Sequence, residues 1–112
     1  MPAARLDRIT VRRLEVPLVT PYRLAFGTVE RFDTIVVECV ACDGRVGLGE
    51  ATVLTGYTDE TIEGAWRAAR DIAAGLAGLD AESAQRSVAQ HVAERPFTAT
   101  AFGTALEMLE HS

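Results

Sequence analysis

The segment Thr34–Tyr57, TIVVECVACDGRVGLGEATVLTGY, carries the densest pattern in the chain. Thr34, Ile35, Val36, Val37, Cys39 and Val40 are β-branched or apolar, and a second short run spans Arg45 to Ala51. The Asp43-Gly44 pair between them signals a hairpin, because a type I′ turn needs positive φ at both central residues. Glycines at 44, 47 and 49 let the backbone twist or come close to another element. From Thr52 to Tyr57 the sequence reads as a loop. It is too apolar for an ordinary solvated turn and runs into a helix, which suits a loop facing a partner surface.

On the N-terminal side, Ile9 to Pro17 reads as a strand whose apolar phase changes from Ile9 and Val11 to Leu14 and Val16. A bulge near Arg12-Arg13, or burial of both faces, would account for the change. Pro17 and Pro21 are expected to stop this strand and bracket a long connection, Leu18 to Phe32, carrying Tyr22, Arg23, Leu24, Phe26 and Gly27. Two aromatics and an arginine in one loop fit either an Ω-loop packed on its own domain or a surface that recognises an anionic group.

After Tyr57 the apolar period changes from two to 3.6. Thr58 reads as an N-cap with Asp59 and Glu60 in the first turn, and Ile62, Ala65, Ala69, Ile72 and Leu76 follow at helical spacing. Trp66 flanks that stripe as a core residue, and Gly78 suits the position just past the helix end. Asp80 caps a second helix in which Ala84, Val88 and Val92 recur until Pro96 prevents continuation. A third helix starts at Thr98, with Ala101, Phe102, Ala105, Leu106 and Leu109 on one face. The order β-β-β-α-α-α predicts an α+β fold, a three-stranded antiparallel sheet followed by three or more helices, in one domain over residues 1–112.

The 112 residues suffice for one modest core, burying roughly 65% of the unfolded surface. A net charge of −5 has the wrong sign for a phosphate-binding surface and argues against nucleic acid. All eleven basic residues are arginine, so this chain supplies no lysine base, Schiff base or phosphate-loop lysine. No apolar run approaches a membrane span and the N-terminus lacks the apolar core of a signal peptide, so a cytoplasmic protein is expected. Cys39 and Cys42 form a Cys-x-x-Cys pair on a strand entering a turn, not at a helix N-terminus. With only His91 and His111 as further candidate ligands, at no finger-like spacing, they read as reduced, packed strand cysteines. His91 reads as an edge or solvent-facing residue.

Val16-Pro17-Leu18, Pro21, Thr34-Ile35-Val36-Val37-Glu38, Asp43-Gly44, Gly47-Leu48-Gly49-Glu50-Ala51, Gly56-Tyr57, Glu60-Thr61 and Ala105-Leu106, in this order and spacing, resemble the N-terminal domain of the mandelate racemase and muconate lactonizing group of the enolase superfamily. The resemblance covers nearly the whole chain. It implies a cap on a C-terminal barrel that removes the proton α to a carboxylate, as racemase, epimerase, dehydratase or cycloisomerase. In that family barrel carboxylates hold a magnesium ion and a barrel lysine or histidine is the base. The cap supplies two mobile loops that close over the barrel mouth. Tyr22, Arg23, Leu24 and Phe26 match the first loop; Val53, Leu54, Thr55 and Tyr57 match the second. Leu24, Phe26, Leu54 and Tyr57 are the strongest substrate-pocket candidates, and Arg23 would suit a carboxylate. Glu50 reads as a residue tying down backbone.

No catalytic or metal-ligating residue is assigned to this chain. A barrel needs on the order of 250 residues beyond it, so the 112 residues alone are expected to be inactive. The implied partners are the barrel domain, a small carboxylate substrate and, as a homo-oligomer, further copies of the chain. Two other readings use the same loops: a module that binds a small carboxylate without turning it over, and an interaction subunit whose apolar loops dock on another protein.

Overall fold

Strand β2 (Gly27–Ala41) lies between its two antiparallel neighbours, β1 (Leu6–Leu24) and β3 (Val46–Val53), and helices α1 (Ile62–Leu76), α2 (Ala81–Ala89) and α3 (Pro96–Glu110) follow. The computed structural model describes residues 5–25, 27–53 and 60–111. The α+β architecture and the element order agree with the sequence.

The period-two pattern of β2 sorts the sheet into two faces. Ile35, Val37 and Cys39 point to the helices and are fully buried, in one core with Ala51, Val53, Leu76, Phe102, Leu106 and Leu109. Their cross-strand partners on β1 are Arg13, Val11 and Ile9. Leu14, Val16, Val46 and Leu48 belong to the other face and are exposed. The phase change in β1 is thus a division between faces. Its register with β2 is unbroken from Arg8 to Pro17, so no bulge forms at Arg12-Arg13; the slip lies at Asp7, between Leu6 and Arg8.

Pro17 does not end β1. As an edge strand, β1 accommodates a residue without an N–H where the ladder does not require one. A second register slip separates Pro17, paired with Arg31, from Tyr22, paired with Val29. The expected long connection is therefore mostly strand, and Leu24 pairs with Gly27 across the turn. β3 ends opposite Asp33, so the outer part of the β1–β2 hairpin is a two-stranded ribbon.

The hairpin turn also differs from a two-residue type I′ turn. Gly44 N–H donates to the Ala41 carbonyl at 2.9 Å, Ala41 N–H to the Arg45 carbonyl at 2.8 Å, and only Gly44, at φ 92°, is left-handed. This is a tight turn followed by a glycine bulge, which spares Asp43 a positive φ. Asp43 instead accepts from Arg45 N–H and Nε, contacts that hold its carboxyl below the usual range.

Gly47 and Gly49 carry the main helix–sheet contact. A Cβ at Gly47 would overlap the Ala105 carbonyl, and one at Gly49 the Ala101 carbonyl. The α3 backbone therefore lies directly on β3, where any larger residue would hold it off.

The buried stripe of α1 is Ile62, Ala65, Ala69, Ile72 and Leu76, and Trp66 packs half-buried beside the core. The α1 N-cap is Thr61, whose hydroxyl accepts from Gly64 N–H at 3.1 Å. Thr58, expected there, lies outside the described residues. Gly78, at φ 84°, follows the helix as expected. Helix α2 ends at Ala89, short of Val92, which is exposed. The chain tightens there, with His91 N–H on the Val88 carbonyl, and Arg95 leaves helical geometry ahead of Pro96. Pro96 opens α3, two residues before the expected start, because proline suits the first helical turn.

Gly49→Ala should lower the unfolding free energy by about 1–3 kcal/mol. Gly75→Ala, on an open face of α1, should raise it by about 0.5–1 kcal/mol. Urea midpoints compare the two. Asp80 caps α2 by accepting from Ser83 N–H at 2.7 Å, which holds its carboxyl below the usual range. A depressed native pKa gives stability that is present above the unfolded carboxylate value and lost as pH falls through the native one. The stability advantage of the parent over Asp80→Asn should accordingly shrink between pH 7 and pH 3, as read by urea unfolding at both.

Candidate functional site

Both loops singled out in the sequence leave the same end of the sheet. β1 runs toward that end and turns back after Leu24; β3, parallel to β1 in direction, finishes there at Val53. Arg23 is exposed near the hairpin tip, its backbone opposite Thr28. Among the described residues no carboxylate forms an ion pair with it. The backbones of Tyr22 and Leu24 are placed by pairing with Val29 and Gly27. Phe26, Leu54, Thr55 and Tyr57 lie outside the described residues.

Val53 sits in β3, opposite Asp33 and 3% exposed. It forms the foot of the second loop within the core. Thr52, taken as the loop's start, pairs with Thr34, their hydroxyls 3.2 Å apart. The return strand thus spans Val46–Val53 and not Arg45–Ala51, because Thr34 and Asp33 still offer it a partner edge.

A charged cluster lies beneath this end. Arg13 stands 4.0 Å from Asp33 and 3.9 Å from Glu63, while Arg31 stands 3.2 Å from Glu15 and 3.9 Å from Asp33. Asp33 Oδ1 is buried and has no hydrogen-bond partner among the described residues. These pairs connect β1, β2 and α1 where the apolar core thins out, although pairs this exposed add little stability singly.

Glu60 carries a role that pattern reading missed. Its carboxylate is 2% exposed and accepts from Phe97 N–H and the Thr98 hydroxyl, each at 2.7 Å. It therefore caps α3, whose own N-cap residue, Arg95, makes no side-chain cap. As a glutamate just before a helix it read as a dipole partner for α1; only the fold brings it to a helix starting 36 residues later. Glu50, by contrast, is exposed on the open face beside Val36, Leu48 and Thr104, and its carboxylate ties down no backbone among the described residues.

Cys39 is buried, which pushes its thiol up to about 11, with Glu38 adding to the effect; Cys42 is exposed on the turn. Cys39 is packed in the strand as expected, whereas Cys42 lies just past the end of β2, where the turn leaves its side chain exposed. Among the described residues no group of three or more His, Cys, Asp or Glu side chains gathers to hold a metal ion.

The model of the mandelate racemase / muconate lactonizing enzyme N-terminal domain matches residues 8–108. The L-Lys-D/L-Arg epimerase of Methylococcus capsulatus is 38% identical over 108 residues, covering 96% of this chain and 30% of that protein. An o-succinylbenzoate synthase of Geobacillus stearothermophilus is 32% identical over 77 residues, covering 67% of this chain and 20% of that protein. The crystal structure of the dipeptide epimerase from Enterococcus faecalis, complexed with Mg and L-Leu-L-Tyr, superposes with a TM-score of 0.80 at 25% identity, covering 91% of this chain and 30% of that one. The chain thus spans at most about 30% of the length of these relatives.

A thiol reagent at neutral pH should modify Cys42 rapidly and Cys39 only on unfolding. Native Cys42→Ser protein should then show no fast-reacting thiol in a colorimetric titration.

Proposed function

The chain belongs to the mandelate racemase / muconate lactonizing enzyme N-terminal domain family, and from that premise we propose that it is the substrate-specificity cap of an enzyme that removes the proton α to a carboxylate. The observation that carries this reading is the exit of both loops from one end of the sheet. A rigid α+β platform holds there a ribbon tip bearing Arg23 and a second loop whose foot, Val53, is fixed in the core.

Arg23, exposed and without a carboxylate partner among the described residues, would pair with an anionic group of the substrate. Tyr22, Leu24 and Phe26 on the first loop, and Leu54, Thr55 and Tyr57 on the second, would line the pocket and exclude water from the reacting carbon. The chemical class follows the relatives, one named an L-Lys-D/L-Arg epimerase and another a dipeptide epimerase, so a dipeptide is the proposed substrate and epimerisation the proposed reaction.

The proton-removing base would lie in the longer part that the relatives possess beyond the matched region. Magnesium accompanies the E. faecalis enzyme, but the described residues here offer it no cluster of ligands. The contribution of this chain is binding, orientation and shielding. Among the described residues no helix is long and apolar enough to cross a membrane, and the unpaired cysteines favour work in the reducing cytoplasm.

The test uses the polypeptide that carries this chain together with its barrel, incubated with dipeptides in deuterated water. Deuterium should enter the α position, and Arg23→Ala should raise KM about tenfold or more with a smaller change in kcat. Absence of exchange across a dipeptide panel, or exchange indifferent to substitutions in both loops, would overturn the reading.

A further inference from the structure

Arg8, Arg12, Glu38 and Glu50 make no ion pair among the described residues, and all four lie on the sheet face turned away from the helices. The registers order that face in rows. Arg12, Val36 and Glu50 stand abreast on β1, β2 and β3, as do Thr10, Glu38 and Leu48, then Arg8, Val40 and Val46. Val36 keeps Arg12 and Glu50 two strand spacings apart, roughly 10 Å between backbones, so neither neutralises the other within the chain. Positive charge thus runs along the β1 edge of the face and negative charge along its middle and its β3 edge. Leu14, Val16, Val46 and Leu48 are exposed among and beside these charges.

Exposed apolar groups interleaved with uncompensated charges of both signs make a surface that fits a copy of itself. Two sheets pack face to face about 10 Å apart with their strands nearly aligned. A two-fold axis along β2, between two such faces, keeps each row at its own level and exchanges the edges, so β1 of one copy lies over β3 of the other. Arg12 then meets Glu50 of the second copy, and the symmetry makes this contact twice, with Val36 against Val36 at the centre. Arg8 falls over Val46 of the second copy, diagonal to Glu38, and offers that carboxylate the counter-charge its own chain withholds. A two-fold axis across the strands, centred on Val36, sets Arg12 over Arg12 and Glu50 over Glu50, which the charges oppose.

We propose that the open sheet face is the contact surface of a homodimer, in which two copies of this chain pack face to face with β1 over β3 and Arg12 pairs with Glu50 in both directions. This assembly goes beyond the capping function and does not depend on it.

Sedimentation velocity in a reducing buffer, which prevents the exposed Cys42 from linking chains, reads the association. The 112-residue chain should form a concentration-dependent dimer. Arg12→Glu and Glu50→Arg, both at exposed positions, should keep the parent urea midpoint. Each should raise the dimer dissociation constant about tenfold or more, because each turns two attractions into two repulsions. An equimolar mixture of the two variants should dimerise again, since the mixed pair restores opposite charges at both contacts.

A parent that stays monomeric, a dimer indifferent to either reversal, or a mixture that does not reassociate would each overturn the proposal. A dimer of the 112-residue chain that is lost in the barrel-bearing polypeptide would identify the barrel as the occupant of this face and overturn it as well.

Discussion

Helix α3 lies on strand β3 with no side-chain layer between them at Gly47 and Gly49, and the rest of the structure is arranged around that contact. Backbone against backbone sets the height of the helix over the sheet. At that height Phe102, Leu106 and Leu109 reach the core under β2, and the N-terminus of α3 comes within reach of Glu60. Dispersion in a densely packed interface falls steeply with a small gap. Two glycines therefore govern contacts made by residues far from them in sequence.

The elements were legible because their physics is local. The alternation of β2 and the 3.6-residue stripe of α1 each reflect a face that must be buried, and both faces formed as read. Gly47 and Gly49 were recognisable as places where something comes close, although only the fold identifies α3 as the neighbour. Pro17 and Pro21 misled, because a proline interrupts a ladder only where its missing N–H is needed, and β1 is an edge strand. Asp43-Gly44 signalled the right turn position with the wrong geometry, since a bulge with a single left-handed glycine relieves Asp43 of strain.

The candidate site was legible to a different degree. Of the first loop only the turn after Leu24 is not strand, and the second lies outside the described residues beyond Val53; the antiparallel order brings the strand ends at both to one side, and the residues forming those ends were not visible. Val53 alternates with its neighbours and belongs to the strand, a fact that depends on how far Asp33 and Thr34 extend the ladder. Glu60 was hidden more deeply, because an acidic residue ahead of a helix looks like a dipole partner for that helix. Its actual partner begins two elements later.

The register slip between Pro17 and Tyr22 has a further consequence. It lies outside the stretch braced by β3, in a ribbon whose two strands answer only to each other. Residues gained or lost at such a slip change the reach of the tip and leave the helix–sheet packing untouched. The fold thereby separates the part of the sequence that inheritance must preserve from the part that can drift. A lineage can retune what the tip meets by small insertions and deletions, with the platform beneath unaltered.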